Sequence, residues 1–266
     1  MIDEKLKSLA HQLADASGAV IKKYFRKVGS EDKVDTTLVT IADREAELAI
    51  REILTRERSD DAIWGEEYGE QAGISGYRWI LDPIDGTLPF TAGRPSFATI
   101  IGLEYNGPNG QAQSAKNILG MVDQPITQDR WLGIIGQGAW HNDASAACSK
   151  KEKLSDALLA CTTIERMIKN NNEWAAFNRV RGAAKNVLYG GDAFGYACLA
   201  SGWIDVIVET GLKLHDYAGL TPIIEAAGGV ITDWQGNSLA GREKSNVLAS
   251  ATPAMHRAAM ELLNQA

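Results

Sequence analysis

Trp79-Ile80-Leu81-Asp82-Pro83-Ile84-Asp85-Gly86-Thr87 is an apolar run that stops abruptly at two carboxylates three positions apart. Its first residues have the bulk and branching of a β-strand, and strand ends are where functional groups accumulate. Pro83 stiffens the turn and Gly86 lets the backbone approach a ligand closely, so Asp82 and Asp85 can face one point beyond the sheet. Hard cations such as Mg²⁺ take oxygen ligands of this kind, completed by water and phosphate. Thr87 falls at an expected helix start, where free backbone N–H groups receive anions. The plainer reading of a lone D-x-x-D is a tight turn whose aspartates cap backbone groups.

Two further acidic strand ends weigh against the plain turn. Upstream, Ala62-Ile63-Trp64 runs into Gly65-Glu66-Glu67; downstream, an apolar strand expected over residues 203–209 ends at Glu209 and leads to Asp216 at the start of another helix. Four carboxylates brought together without neutralisation would disfavour one another's ionisation. If Glu66, Asp82, Asp85 and Asp216 converge, the simplest accommodation is two or more Mg²⁺ ions, able to activate water and hold a phosphoryl group.

Around this centre the chain reads as a mixed α and β protein. Apolar residues at Leu6, Leu9, Ala10, Leu13, Val20, Ile21 and Tyr24 predict an amphipathic helix over residues 6–24, and Ala46, Ala49, Ile50, Ile53 and Leu54 predict a second over 40–56. A polar loop is expected over residues 30–37. Short β runs at 62–64, 77–81, 97–103, 118–122 and 131–135 predict a largely antiparallel sheet, with a turn at Asn106-Gly107-Pro108-Asn109-Gly110. The second half alternates: strands over 158–164, 187–188, 203–209, 230–232 and 246–249, with helices over 173–181 and 192–201, after Asp216, and from Pro253 with Thr252 as cap. The polar stretch 142–153 suggests a junction within one domain, 1–266, between halves 1–145 and 146–266.

Composition narrows the function classes. The 27 Lys+Arg against 34 Asp+Glu give a formal charge of −7, which repels nucleic acid and leaves a small anion bound through cations as the readier ligand. Cys148, Cys161 and Cys198 are widely spaced, with no C-x-x-C pair, and fit a reducing cytoplasm. Met1-Ile2-Asp3-Glu4 lacks the order of a secretion signal, and no apolar run approaches the roughly 18 residues of a membrane span, so no membrane association is expected.

Gly65-Glu66-Glu67, Asp82-Pro83-Ile84-Asp85-Gly86-Thr87 and the downstream Asp216 before a Gly-Gly helix end resemble the signatures of the inositol-monophosphatase-like superfamily, lithium-sensitive metal-dependent phosphatases. The resemblance covers nearly the whole chain and implies the α+β class, as a layered α/β/α/β/α sandwich of the sugar-phosphatase type, with Mg²⁺ as cofactor, commonly in a homodimer. It implies metal binding by Glu66, Asp82, Asp85, Asp216 and the Ile84 carbonyl, and phosphate contacts from Gly86 and Thr87. Asp43 would pair with Thr87 and, with Glu66, orient the attacking water. Thr40 to Asp43 also fits a loose capping box, so Asp43 as a helix cap stays open beside that role. At Leu214-His215-Asp216 the family's common Trp-Asp pair is His-Asp, and His215 reads first as a structural or exposed residue, with a substrate contact as the lesser alternative.

Other segments resemble the histidinol-phosphate phosphatase branch: Met121-Val122-Asp123-Gln124-Pro125, Asp129-Arg130-Trp131, residues 190–196, Glu209-Thr210-Gly211-Leu212-Lys213 and residues 221–234. The implied activity is hydrolysis of L-histidinol phosphate, with inositol monophosphate or a broader set of small phosphorylated metabolites as the alternative. Histidinol phosphate carries cationic nitrogens that acids beside the phosphate site would recognise, and Asp192 and Glu209 are the candidates. Asp192 reads equally as a helix cap, and Arg94 as a substrate neighbour or an exposed surface residue. A non-catalytic metal- or metabolite-binding protein is the reading from a different class.

Overall fold

The computed structural model describes residues 2–29, 31–32, 38–107 and 115–265, with the side chains of residues 31, 32 and 38 left aside. Most of the polar loop expected over 30–37, the Pro108-Asn109-Gly110 end of the expected turn and the terminal Ala266 lie outside the described residues.

Helix α1 (Glu4–Tyr24) starts where Asp3 Oδ1 accepts the Leu6 N–H at 2.9 Å. The short pair β1 (Glu31–Asp32) and β2 (Leu38–Val39) precedes α2 (Ile41–Glu57), which Thr40 and Asp43 cap reciprocally. Then come β3 (Ala62–Gly65), β4 (Gly69–Gln71), β5 (Tyr77–Asp85), α3 (Thr87–Thr91), β6 (Ala98–Tyr105), β7 (Lys116–Gln124), β8 (Asp129–Ile134), β9 (Gly138–His141) and β10 (Ala144–Ser145). These strands form one sheet of order β10-β9-β8-β7-β6-β5-β3-β4, antiparallel except where β3 lies parallel to β5.

After β10 the chain enters a second sheet through β11 (Leu158–Cys161), α4 (Glu165–Ile168), α5 (Asn171–Ala183), β12 (Asn186–Tyr189), α6 (Asp192–Ala200) and β13 (Val206–Lys213). It is completed by α7 (Leu214–Tyr217), α8 (Leu220–Ala226), β14 (Val230–Asp233), β15 (Lys244–Ser250) and α9 (Pro253–Leu263), in the order β12-β11-β13-β15-β14.

Alternation along β5 explains the layers. Trp79 and Leu81 face α1 and α2, where they pack with Leu9, Leu13, Ile50 and Leu54. Ile80 faces the other way, into a core shared with Ile100, Val122, Tyr196, Leu199 and Ile223, so α6 and α8 fill the space between the sheets. Outside the second sheet, Phe177 and Val180 of α5 and Met255 and Ala259 of α9 cover Val206, Val208 and Leu248. The result is an α/β/α/β/α sandwich. Both faces of β5 are buried, which is why its sequence reads as a continuous apolar run and not as alternation.

A row of glycines sets the spacing of the central layer. Gly102, Gly120 and Gly133 are direct cross-strand partners on β6, β7 and β8. A methyl group on Gly120 would overlap the Gly219 carbonyl oxygen, and one on Gly133 would overlap the Ile223 backbone. The backbone around the start of α8 therefore sits directly on the sheet, and this seating fixes α7 just before it.

Several boundaries differ from expectation. The strand expected over 203–209 begins only at Val206 and runs to Lys213; Trp203 lies in the turn after α6, its N–H bonded to Cys198 O, with 56% of its surface exposed. The strand expected over 158–164 ends at Cys161, because the Thr162 N–H turns to the Glu209 carboxylate at 2.5 Å instead of joining the ladder. The region after Asp216 holds two short helices, α7 and α8, and α7 already begins at Leu214. Strands β4, β9 and β10 carry no run long enough to stand out in the sequence.

Candidate active site

Asp82 and Asp85 do not lie beyond a strand end. Strand β5 runs through both, and its register with β6 breaks between them. Pro83 accounts for the break, since it has no N–H for the ladder, and its carbonyl accepts the Thr99 hydroxyl at 2.7 Å. Next, Gly86 takes φ +94°, and a side chain there would press on the Asp192 carboxyl at 3.1 Å. Thr87 then opens α3.

The structure brings the four acids together. One carboxylate oxygen from each of Asp82, Asp85 and Asp216 lies within 4.8 Å of the other two; Glu66, Asp82 and a ring nitrogen of His215 form a second such group. Glu66 is presented by the turn between β3 and β4, its N–H bonded to Leu81 O at 3.1 Å. Asp216 sits in the first turn of α7, where its Oδ2 accepts the Lys213 N–H at 2.7 Å. Asp85 accepts the Ala193 N–H at the start of α6.

Burial and mutual repulsion drive this cluster toward protonation. The Asp82 carboxyl is pushed well above the usual carboxylate range by burial, then by Glu66, Asp85 and Asp216. Asp85 is likewise raised, by burial and then by Asp192 and Asp216. Burial also raises Asp216 against the opposing pull of His215, and raises Asp43 against its bonds from Thr40. Such a set fits divalent cations: every donor from the four acids is a hard oxygen, and Asp82 Oδ1 is buried with no hydrogen-bond partner.

Linkage gives this arrangement a measurable sign. Carboxyls raised in the fold stabilise the metal-free protein when protonated, and that contribution is lost as pH rises from about 4 through their folded values. Mg²⁺ competes with those protons. The rise in Tm on adding Mg²⁺ to EDTA-treated protein is therefore expected to be larger at pH 8 than at pH 5.5, measured by thermal denaturation. Comparing loaded and metal-free protein at each pH isolates the cluster from His256, whose burial lowers its pKa to about 4 and which acts in the opposite direction.

Apart from Asp43, which lies behind Thr87, the other predicted residues line the same cleft of about 1230 Å³. Asp43 is both cap and neighbour of Thr87: its Oδ2 accepts from Thr40 N at 2.9 Å and Thr40 Oγ1 at 2.5 Å, while Thr87 Oγ1 lies 3.4 Å from Oδ1. Thr87 Oγ1 lies equally close to the Ile84 carbonyl, 3.4 Å away. Asp192 is the first residue of α6, at φ +45°, with its pKa raised to about 6 by burial and then Asp216, against Arg166 and Arg94. Glu209 is 4% exposed and raised to about 7, chiefly by burial. Arg94 is exposed at the rim. His215 is buried beside the acids, with 7% of its surface exposed.

Sequence reasoning missed Glu47 and Arg51. Fully buried Glu47 reaches from α2 to the β3–β4 turn, accepting the Glu67 N–H at 2.8 Å and the Tyr68 N–H at 3.3 Å. Arg51 Nε bonds Glu47 at 2.7 Å and its other nitrogen reaches Gly69 O at 2.5 Å. Gly65 has no side chain because the Glu47 carboxylate occupies that volume. Together the pair fixes the turn that carries Glu66. The available signal was an acid four residues after Asp43, on the same buried helix face.

A layered sandwich gathers Glu66, Asp82, Asp85 and Asp216 into one cleft whose oxygen donors suit divalent cations. The chain belongs to the inositol monophosphatase family, whose profile matches residues 3–266. It is 42% identical over 270 residues to a bifunctional phosphatase IMPL2, chloroplastic, from Arabidopsis thaliana, covering 98% of this chain and 75% of that protein. It is 33% identical over 230 residues to a histidinol-phosphatase of Chlorobaculum parvum, covering 86% and 85%. Among solved structures, an inositol monophosphatase from Zymomonas mobilis superposes with a TM-score of 0.84 at 36% identity, covering 97% of each chain. The family sets the coarse activity: hydrolysis of phosphoric monoesters of small metabolites, with Mg²⁺. Among the described residues no helix is long and apolar enough to cross a membrane.

Proposed function

We propose that this enzyme hydrolyses L-histidinol phosphate to L-histidinol and phosphate. The observation that carries the reading is the pair of acids, half-buried Asp192 and buried Glu209, lining the cleft that holds the acidic cluster. Acids in that position suit a substrate whose ester end is anionic and whose other end carries an amine and an imidazole. Support also comes from the relatives named histidinol-phosphatase, that of Chlorobaculum parvum and one from Streptomyces coelicolor at 32% identity.

In this reading Glu66, Asp82, Asp85, Asp216 and the Ile84 carbonyl hold Mg²⁺. Bound Mg²⁺ supplies electrostatic stabilisation of the phosphoryl oxygens and lowers the pKa of water. Thr87 donates its hydroxyl hydrogen to Asp43 and so turns an oxygen lone pair toward the attacking water, while Glu66 accepts one of that water's hydrogens. The Gly86 and Thr87 backbone N–H groups receive the phosphate, close enough because Gly86 has no side chain. Water oxygen bonds to phosphorus as the ester P–O bond breaks; the water gives up one proton by way of Glu66, and the departing alkoxide takes one proton from a solvent water molecule, so that protons balance. Asp192 and Glu209 hold the amine end, and Arg94 borders the mouth.

Steady-state rates test the assignment. We expect kcat/KM on histidinol phosphate to exceed that on myo-inositol monophosphate by at least about 10-fold, roughly 1.4 kcal/mol of differential transition-state binding. A clear preference for the inositol ester would overturn the substrate while leaving the phosphatase in place.

A further inference from the structure

We propose that His215 is a nitrogen donor to the cation held by Glu66 and Asp82, so that this position accepts transition ions such as Mn²⁺, Co²⁺ and Zn²⁺ as well as Mg²⁺. The proposal rests on the metal-centre reading above and adds to it a ligand of a different chemical kind.

Geometry carries the inference. His215 Nε2 lies 3.3 Å from Asp216 Oδ1 and 3.9 Å from Glu66 Oε1. The contact to Asp216 is a close polar one, whereas the Glu66 separation exceeds the roughly 2.7–3.2 Å of an N–H···O hydrogen bond. The Glu66 separation matches the spacing of neighbouring donors on one ion, because bonds of about 2.0–2.2 Å meeting at angles near 90–120° place the donor atoms roughly 3–4 Å apart. Ligand atoms of Glu66, Asp82 and His215 all lie within 4.8 Å of one another.

A second, independent observation points to a ligand here. Asp82 is 2% exposed, and its Oδ1 is buried with no hydrogen-bond partner. His215 Nδ1 is buried without a partner as well, so no protein hydrogen bond at that atom commits the ring to a tautomer that would occupy the Nε2 lone pair. Imidazole is a better ligand for Mn²⁺, Co²⁺ and Zn²⁺ than for Mg²⁺, which prefers oxygen. A mixed nitrogen and oxygen set therefore broadens the range of ions without removing the carboxylates that Mg²⁺ uses.

The test is spectroscopic. Metal-free protein is loaded with Mn²⁺ and examined by pulsed EPR for nitrogen coupling, with calorimetric titrations of Zn²⁺ and Mg²⁺ alongside. We expect an imidazole nitrogen signal in the wild type that is absent in His215→Phe. Zn²⁺ affinity should fall at least about 10-fold in that variant, with Mg²⁺ affinity changed by less than about 3-fold. The variant separates His215 from His11, His141 and His256. Should His215→Phe fail to fold, His215→Asn provides the same comparison, and the wild-type spectrum stands by itself. Bound Mn²⁺ without nitrogen coupling, or coupling that survives replacement of His215, overturns the proposal. A wild type that binds none of these ions overturns the metal centre itself, a result distinguishable from a nitrogen-free Mn²⁺ spectrum.

Discussion

Asp85→Asn is expected to lower Mg²⁺-dependent phosphate release by at least about 10³-fold, near 4 kcal/mol of lost transition-state stabilisation, in a protein that still folds. The amide keeps the size of the carboxylate, and its oxygen can still accept the Ala193 N–H that Asp85 accepts. What disappears is one buried negative charge in a cluster whose members oppose one another's ionisation. The metal-free variant should therefore melt no lower than the metal-free wild type, while the gain in Tm on adding Mg²⁺ shrinks. Phosphate release across a Mg²⁺ titration, with thermal denaturation in EDTA and in Mg²⁺, reads both effects. Activity within tenfold of wild type would remove Asp85 from the cation-binding set.

Gly120→Ala should have the largest effect on stability of any change outside the acidic centre. The added methyl has no route of escape: it meets the Gly219 carbonyl, which is backbone, and the flanking Gly102 and Gly133 show that the whole row is in contact. We expect a loss of at least about 3 kcal/mol, the upper range for overpacking, and a fall in Tm of roughly 6–12 °C. Because the displaced segment leads back to α7 and Asp216, kcat should fall in protein that is still folded at the assay temperature. Gly182→Ala on α5 is the control. A methyl there meets nothing within 4 Å, so its Tm should be unchanged or slightly raised. Equal melting temperatures for the two variants would contradict the tight seating of α8 on the sheet.

Much of the site was legible because its residues sit in local patterns. The pairing of Asp82 and Asp85 follows from three-residue spacing around Pro83, and the cap of α2 follows from Thr40 and Asp43 three positions apart. The layered order was legible only through the family resemblance; the apolar runs of β5, β6 and β7 by themselves fit a buried strand in many sheets. Trp203 was placed in a strand because aromatic residues favour β structure, whereas the turn that follows α6, with Gly202 at φ +76°, holds it in the open. Glu47 escaped notice because its only local signal, an acid one turn after Asp43 with Arg51 one turn further, is equally common on exposed helix faces. Its partners are the N–H groups of Glu67 and Tyr68, about twenty residues further along.

The amino-acid sequence by itself determined which groups exist to do chemistry: the D-x-x-D pair, the acid after Gly65, the aspartate before Tyr217 and the hydroxyl of Thr87. Short-range geometry constrains such elements, and a proline, a glycine or a cap acts within a few residues. Only the tertiary structure decided that His215 turns into the acidic cluster, that Asp192 and Glu209 share its cleft, and that a glycine row holds α8 against the sheet. These are contacts between segments distant in the chain, and their energies come from burial and close packing, which no local spacing encodes.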